Sequence, residues 1–315
     1  MARRVLAPAK INLYLHVIGR RPDGYHRLDS LVVFADIGDR LTAAPAGDLS
    51  LTVAGPEGAA LAALGEDNLV LRAARELADA TGNPAAGAAL VLDKHLPAAA
   101  GIGGGSSDAA AALRLLPRLW RQPVGVARMA GIAVQLGADV PACLLARPVW
   151  VAGTGDELEP AEDLPPAGIV LANPRRKLPT AAVFAARRGA FSLPGRFVAM
   201  PPDAAALATE LAARRNDLTE AALTLVPEVG PVLQRLAELP KALLARMSGS
   251  GATCFALFAD RAAALAAARE LAAAEPGWWI AGGAFLSNPP PIERVGRVRG
   301  LVRSPSRRPR RCPAR

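Results

Sequence analysis

The chain has 315 residues, 51% of them hydrophobic and 21% charged, with a formal net charge of +9; that bounds it to one large or two ordinary domains and excludes disorder throughout. It holds no run of about 18 uncharged apolar residues, and Met1-Ala2-Arg3-Arg4 leads straight into patterned sequence, so neither a membrane span nor a secretory leader is expected and the chain reads as a soluble cytoplasmic protein. Cysteines 143, 254 and 312 and histidines 16, 26 and 95 are scattered, without CxxC or HxxxH spacing, which argues against a disulfide frame, zinc and redox chemistry.

From Arg4 to Gly19 the residues alternate. Ile11, Leu13, Leu15 and Val17 point one way and Lys10, Asn12, Tyr14 and His16 the other, which predicts a strand with one polar face. Pro22-Asp23-Gly24 makes a turn, and Leu31–Phe34 opens a β-rich stretch to about Val53. After Asp67-Asn68 the apolar period becomes helical and stops at Gly82-Asn83-Pro84; a strand, 88–95, follows. Helices are expected at about 107–119 and 126–136, and strands at 148–152 and 168–172. Gly, Pro and acidic residues cluster at 153–167, where a domain boundary is placed. The second half reads as helices 204–213, 216–225 and 229–239, strand 255–259, helix 261–275 and a last strand near 278–285. The whole is α+β without internal repeat.

Beyond Pro289-Pro290-Pro291 an Arg/Pro/Ser tail lacks the apolar content to fold alone and is expected to be disordered. Eight arginines and no acid lie from Arg297 onward, so nearly all of the net charge is in this tail and the body is close to neutral. A near-neutral body is a poor nucleic-acid platform. Arginines outnumber lysines 33 to 4, a bias that a GC-rich genome produces without selection for phosphate binding.

Leu96-Pro97-Ala98-Ala99-Ala100-Gly101-Ile102-Gly103-Gly104-Gly105-Ser106-Ser107-Asp108 runs directly into an alanine-rich helix. Glycines at a helix start offer exposed backbone N–H groups, close approach and the positive end of the helix dipole, which together suit phosphate. The alternative is a glycine linker capped by Ser106 or Ser107. No lysine follows Gly105 as a P-loop requires, and Ser106 stands where a dinucleotide fingerprint needs its third glycine. Two more segments stand out. Met247-Ser248-Gly249-Ser250-Gly251-Ala252-Thr253 precedes an apolar strand and reads either as a close-approach loop or as a tight turn. Pro8-Ala9-Lys10-Ile11-Asn12-Leu13 puts an ammonium and an amide on one strand face.

Together PAKINLYLHVIGRRPDGYHRLDSLV (8–32), EDNLVLRAAREL (66–77), LPAAAGIGGGSSDAAAAL (96–113), LGADVP (136–141) and MSGSGATCFALF (247–258) resemble the galactokinase, homoserine kinase, mevalonate kinase and phosphomevalonate kinase (GHMP) superfamily over about residues 4–287. PAKINL with DGYH narrows the resemblance to the branch acting on 4-diphosphocytidyl-2-C-methyl-D-erythritol. The resemblance implies a two-domain α+β GHMP kinase fold. Residues 1–155 would form an N-terminal domain with a left-handed β-α-β unit, the ATP loop and the catalytic residues; 156–290 would form a ferredoxin-like C-terminal domain, and 291–315 the tail. It implies transfer of the ATP γ-phosphate to the tertiary 2-hydroxyl of that small-molecule acceptor.

Such a hydroxyl is a weak acid and needs a carboxylate to take its proton and a cation beside the reacting oxygens. By the resemblance Asp139 is the base and also touches the acceptor, and Lys10 orients it; taken alone, Asp139 reads as a capping aspartate and Lys10 as an edge-strand gatekeeper. Phosphates would lie on Pro97 to Ser107, with Asn68 and Lys94 on the adenine-ribose side, unless Asn68 caps its helix and Lys94 is solvated. Tyr25 would stack on cytosine and His26 would hydrogen-bond its edge, with Asn12, Thr180 and Phe184 at further acceptor positions. Phe184 alternatively walls the core, and Asp156, near the substrate by position, reads equally as a turn residue. Val32 stands where relatives can carry an aromatic, which leaves Tyr25 to stack on one side only. Mg²⁺ is expected with ATP; Ser107 is a candidate ligand on position alone. A homoserine- or mevalonate-type kinase is the competing reading within the superfamily, and nucleic-acid contacts through the tail the competing reading outside it.

Overall fold

A computed structural model describes residues 1–59, 65, 67–83, 86–161 and 164–296. It opens with β1 (Ala2–Arg20), β2 (His26–Pro45) and β3 (Leu49–Ala54), then α1 (Leu69–Ala80), β4 (Ala88–Asp93), α2 (Gly104–Trp120), α3 (Val126–Leu136), α4 (Val140–Leu145), β5 (Val149–Gly153) and β6 (Glu157–Pro160). There follow β7 (Gly168–Asn173), α5 (Thr180–Ala186), α6 (Ala204–Ala212), α7 (Thr219–Leu225), α8 (Val229–Ala237), β8 (Leu244–Met247), β9 (Cys254–Phe258), α9 (Arg261–Ala274), β10 (Trp279–Ala284) and β11 (Glu293–Val295).

Among the described residues the first sheet runs β11-β1-β2-β4-β3, with β5 on the early half of β2 and β6 on β5. β3 and β4 pair in parallel across α1, as a β-α-β crossover must. The second sheet runs β10-β7-β9-β8, antiparallel throughout. With helices between β7 and β8 and α9 between β9 and β10, this is the ferredoxin-like order expected of the second half. One core lies between the first sheet and α1–α4 and another between the second sheet and α7–α9. A third joins the two sheets through Ile11, Leu13 and Val33 on one side and Ile169, Leu171 and Phe255 on the other. Each such side chain contributes about 1.5–3 kcal/mol by leaving water, so this middle layer fixes one sheet on the other.

The alternation expected along β1 does not survive intact. Register shifts at Pro8/Lys10, Asn12/Tyr14 and Val17/Gly19 interrupt its pairing with β2. As a result Tyr14 joins Ile11 and Leu13 in the middle layer, while Leu15 and Val17 pack in the second core. An extra residue in one strand rotates everything after it. The polar face is not a wet one either, since Lys10, Asn12 and His16 are all buried.

Other expectations are corrected in detail. α2 starts at Gly104, so two of the loop glycines are helical. Strand 88–95 ends at Asp93. The Gly-rich and acidic stretch from 153 holds the turn of a β5–β6 hairpin, Val149↔Pro160 to Ala152↔Glu157, which keeps residues 157–160 on the first sheet beyond a division at 155/156. The tail expected from 291 is corrected at its start, because Glu293–Val295 pair with Ala2–Arg4. Residues 297–315, to which the rest of that expectation applies, lie outside the described residues, as do Glu66 and Pro84 of the segments around α1.

Candidate active site

Lys10 leaves β1 toward the start of α4. Its Nζ donates to Asp139 Oδ1 at 2.5 Å, with the lysine side chain 9% exposed and the aspartate 49%. Asp139 occupies the N-cap position of α4 but makes no capping hydrogen bond. The capping alternative is therefore excluded: the carboxylate is turned to an ammonium and keeps half of its surface open. The Lys10 backbone is held as well, its N–H donating to Ile102 O at 3.0 Å.

That bond ties the pair to the glycine loop. Gly101 (φ +73°) and Gly103 (φ +63°) occupy the left-handed region, and a Cβ on Gly101 would come within 2.5 Å of Gly251 O, so only glycine serves there. Gly103 is the N-cap of α2, without a side-chain cap and without an acidic residue in the first turn. The first N–H groups of a 17-residue helix thus lack both partner and counter-charge. Gly105 is exposed, Ser106 is partly exposed, and Gly103 lies beside the Lys10 stem, where an added Cβ would meet Lys10 Cβ at 3.1 Å. A phosphate at this helix start therefore lies close to the Lys10–Asp139 pair. The rest of the loop, Pro97-Ala98-Ala99-Ala100, reaches it through an exposed Ala99 at φ +51° and a buried Ala100 whose carbonyl accepts from Thr253 N at 3.2 Å.

The Gly-Ser loop closes the site from the second domain. Ser248 Oγ accepts from Asn12 N at 3.2 Å and donates to Gly101 O at 3.3 Å. Asn12 Nδ2 donates to Ser30 Oγ at 2.8 Å, whereas its buried Oδ1 has no partner and faces Gly249. Thr180 Oγ1 is 2.9 Å from Ser250 Oγ, which anchors α5 to this loop. Farther along α5 the Phe184 ring stacks on His26, with centroids 5.2 Å apart and planes 26° from parallel. Tyr25 beside them is 68% exposed. Burial, then the charges of Arg20 and Arg187, hold the His26 imidazole below its usual pKa range, which leaves it neutral at pH 7, with one donor and one acceptor.

Several residues singled out in the sequence lie elsewhere. Lys94 is neither solvated nor open to a ligand: at 2% exposure its Nζ donates to Asp39 and, at 2.8 Å, to Asp108 Oδ2. The cation is consumed by two buried carboxylates beneath Gly104. Asn68 is 5% exposed and caps α1, accepting from Val70 N at 2.9 Å. Ser107 is buried, at 1% exposure, and its hydroxyl donates to Pro8 O at 2.7 Å, so it packs against β1 and not at the open helix start. Val32 is a fully buried core residue opposite Val149, with no face to offer a base. Asp156 accepts from Thr154 N and Oγ1 within its own turn, and these bonds lower its pKa.

Residues not singled out also build the site. Asn216 Nδ2 donates to Met247 O and Gly249 O, both at 2.8 Å, and fixes the Gly-Ser loop. Asp39 accepts from His95 N and Leu96 N at 2.5 and 2.8 Å, and so holds the entry to the glycine loop. Nothing in a one-dimensional pattern marks Asn216 or Asp39. Asp108 did carry a signal, as an acid on the buried side of an alanine-rich helix.

Comparison with known proteins shows what the chain resembles in sequence and fold. The family model "GHMP kinases N terminal domain" matches residues 68–147 and "GHMP kinases C terminal" residues 201–277. A protein of Paramagnetospirillum magneticum named 4-diphosphocytidyl-2-C-methyl-D-erythritol kinase is 55% identical over 281 residues, 89% of this chain and 98% of its own. One of the same name from Rhodospirillum rubrum is 52% identical over 273 residues, 87% of this chain and 89% of its own. Among solved structures, a 4-(cytidine 5'-diphospho)-2C-methyl-D-erythritol kinase superposes with a TM-score of 0.73 at 36% identity, covering 90% of this chain and 98% of that one. A homoserine kinase from Cytophaga hutchinsonii, at 17% identity and a TM-score of 0.70 over 93% and 97% of the chains, shares the fold.

Proposed function

The chain belongs to the 4-diphosphocytidyl-2-C-methyl-D-erythritol kinase family of the GHMP kinases, and from that premise we propose that its site phosphorylates the 2-hydroxyl of 4-diphosphocytidyl-2-C-methyl-D-erythritol with ATP, giving the 2-phosphate and ADP. The observation that carries this reading is the 2.5 Å Lys10–Asp139 pair beside the uncapped start of α2. The backbone N–H groups of Gly104 to Ser106 receive the nucleotide's phosphates. The acceptor hydroxyl lies against the open side of Asp139. Its oxygen forms the new bond to the γ-phosphorus as the bridge to the β-phosphate breaks, and its proton passes to the Asp139 carboxylate. Lys10 holds that carboxylate in one orientation, and its charge stabilises the forming alkoxide. Asn12 Oδ1, buried and unpaired, accepts a hydroxyl of the acceptor. Tyr25 stacks on the cytosine, and neutral His26 bonds its edge.

Mg²⁺ would neutralise charge on the β- and γ-phosphates. Among the described residues no group of three or more His, Cys, Asp or Glu is gathered to hold a metal. That fits an ion bound mainly by phosphate and water with few protein oxygens. Ser106, partly exposed at the helix start, replaces Ser107 as the hydroxyl for it. A cytoplasmic location is part of the same proposal, for a biosynthetic enzyme in which no described helix is long and apolar enough to cross a membrane. Nucleic-acid contacts through 297–315, if made, are additional to catalysis; they would weaken steeply with salt and vanish on deletion of that segment while turnover survives.

The test is ADP release by the full chain with Mg-ATP and, in parallel, the cytidyl acceptor, homoserine and mevalonate. Turnover is expected with the first alone. Turnover with either of the others and not with the first would overturn the acceptor assignment while leaving the family intact.

A further inference from the structure

An asparagine carries a donor and an acceptor on one planar group, and a half-turn of that group exchanges them. The half-turn decides what Asn12 offers. Asn12 follows Lys10 by two residues on β1, on the same strand face, with no register shift between them. Its backbone N–H is held by Ser248 Oγ at 3.2 Å, which leaves the amide as the free variable. Ser30 fixes it. This β2 residue is 1% exposed, and its Oγ lies 2.5 Å from Tyr14 O and 2.8 Å from Asn12 Nδ2. Two oxygens approach to 2.5 Å only with a proton between them, and a carbonyl has none to give. The one proton of the Ser30 hydroxyl therefore lies on the Tyr14 side. Toward Asn12 the hydroxyl only accepts, so the amide must present its NH2 there and turn Oδ1 the other way.

That other way is the seam between the Gly-Ser loop and the glycine loop. A Cβ on Gly249 would lie 3.4 Å from Asn12 Oδ1 and 2.8 Å from Gly101 O, and among the described residues Oδ1 has no donor there. The arrangement depends on the bulge in β1. Between Asn12 and Tyr14 the strand holds one residue more than its partner, so Leu15 and not Tyr14 stands across from Ser30. The Ser30 hydroxyl spans that bulge, accepting from the side chain at one end and donating to the carbonyl at the other. We propose that Ser30 is a positioning residue for the transfer reaction: it locks the Asn12 amide with its acceptor atom toward the site, so that a hydroxyl of the substrate can donate to it beside Lys10 and Asp139. This rests on the cytidyl acceptor, and on the Asn12 contact with it, assigned above. Ser30 itself touches neither substrate nor nucleotide and acts through Asn12.

The experiment is steady-state kinetics of the full chain with Mg-ATP and the cytidyl acceptor, on the wild type, Ser30→Ala, Ser30→Thr, Asn12→Ala and the double variant Ser30→Ala/Asn12→Ala. Ser30→Ala frees the amide to turn and should lower kcat/KM for the acceptor about tenfold, with ATP KM kept. Ser30→Thr retains the hydroxyl and should recover most of that loss. Asn12→Ala should lose at least as much as Ser30→Ala, and the double variant little more than Asn12→Ala, because the hydroxyl then has no amide to orient. An unchanged kcat/KM in Ser30→Ala, no recovery in Ser30→Thr, or losses that multiply in the double variant overturn the inference, the last two because they mark a packing role. A second measurement stands even if Ser30→Ala folds poorly. The Asn12 side-chain NH2 of the wild type, assigned in ¹⁵N spectra by its absence from Asn12→Ala, should be protected from hydrogen exchange, and exchange as fast as that of a solvated amide overturns the lock. A wild type that does not turn over the cytidyl acceptor refutes instead the reading on which the proposal rests.

Discussion

Replacing Lys94 by methionine separates a nucleotide contact from a buried cation. In the structure its Nζ is shared between Asp39 and Asp108 at 2% exposure. Methionine retains most of the stem and removes the charge. Breaking a buried pair by deleting one partner costs about 3–5 kcal/mol, because the other charge stays behind. Asp39 keeps two backbone donors, His95 N and Leu96 N. Asp108 keeps none: among the described residues Lys94 is its one hydrogen-bond donor, and its Oδ1 is already buried without a partner. Most of the loss therefore falls on Asp108. A loss of this size lowers the melting temperature by on the order of 10 °C in a domain of about 150–250 residues.

The pH dependence follows from the same group. Burial first, then the Asp39 charge, push Asp108 up to about 7, although Lys94 pulls it down. The pKa is raised in the folded state, so the native protein binds a proton that the unfolded chain releases; this stabilisation is present at low pH and fades as pH rises from the usual carboxylate range through about 7. Without Lys94 the carboxyl moves higher still. Lys94→Met should therefore be most destabilised near pH 8 and least near pH 5.5, and Asp108→Asn in the same chain should recover much of the loss at pH 8. Urea melts at the two pH values, with ATP KM measured alongside, decide the matter. Unchanged stability at both pH values with a raised ATP KM would refute the buried-cation argument and restore Lys94 to the nucleotide.

Asp139→Ala and Lys10→Ala should each lower kcat by about 10²–10⁴ while ATP binding, followed by calorimetry, and the melting temperature stay close to wild type; retained turnover in Asp139→Ala removes it as the base. Tyr25→Ala, at an exposed position, should raise acceptor KM by the equivalent of about 1–3 kcal/mol, the range for one base–aromatic stack, with ATP KM unchanged, and an unchanged acceptor KM eliminates the stack. Asn216→Ala leaves the Met247 and Gly249 carbonyls without their donor; at about 1–3 kcal/mol for a buried group left unsatisfied it should destabilise the second domain and lower kcat, and a variant with normal stability and activity shows that the loop holds itself.

The parts of this molecule legible in the sequence are those whose cause is local. The α1 helix begins where Asn68 can cap it, α3 matches its apolar period, and the glycine loop announces a helix start open to anions. Lys10 and Asp139 are 129 residues apart, and it is the resemblance of their two motifs, not any spacing, that pairs them in advance. Non-local causes stayed hidden. The bulges of β1 depend on the register of its partner, so strict alternation assigned Leu15 and Val17 to the wrong layer. α4 is a single short turn region behind Pro141, and β6, mostly exposed, reads as a loop because only its pairing with β5 makes it a strand.

Lys94 shows why residue type is a poor guide when charge is scarce. With four lysines in 315 residues, one next to a phosphate loop invites a role on the nucleotide. Its partners are 55 and 14 positions away, and only the packing of β2 against α2 discloses that they consume it. The result is a division of labour between two cations on the same loop. Lys94 pays electrostatically for two buried acids and holds the loop from beneath, whereas Lys10 faces a carboxylate that is half open. Only the second can exchange its partner for a reacting oxygen, because a charge satisfied on both sides in a dry interior has nothing left to give to a transition state. A kinase built on this loop needs both, and loss of the first should be read in melting curves before it is read in turnover.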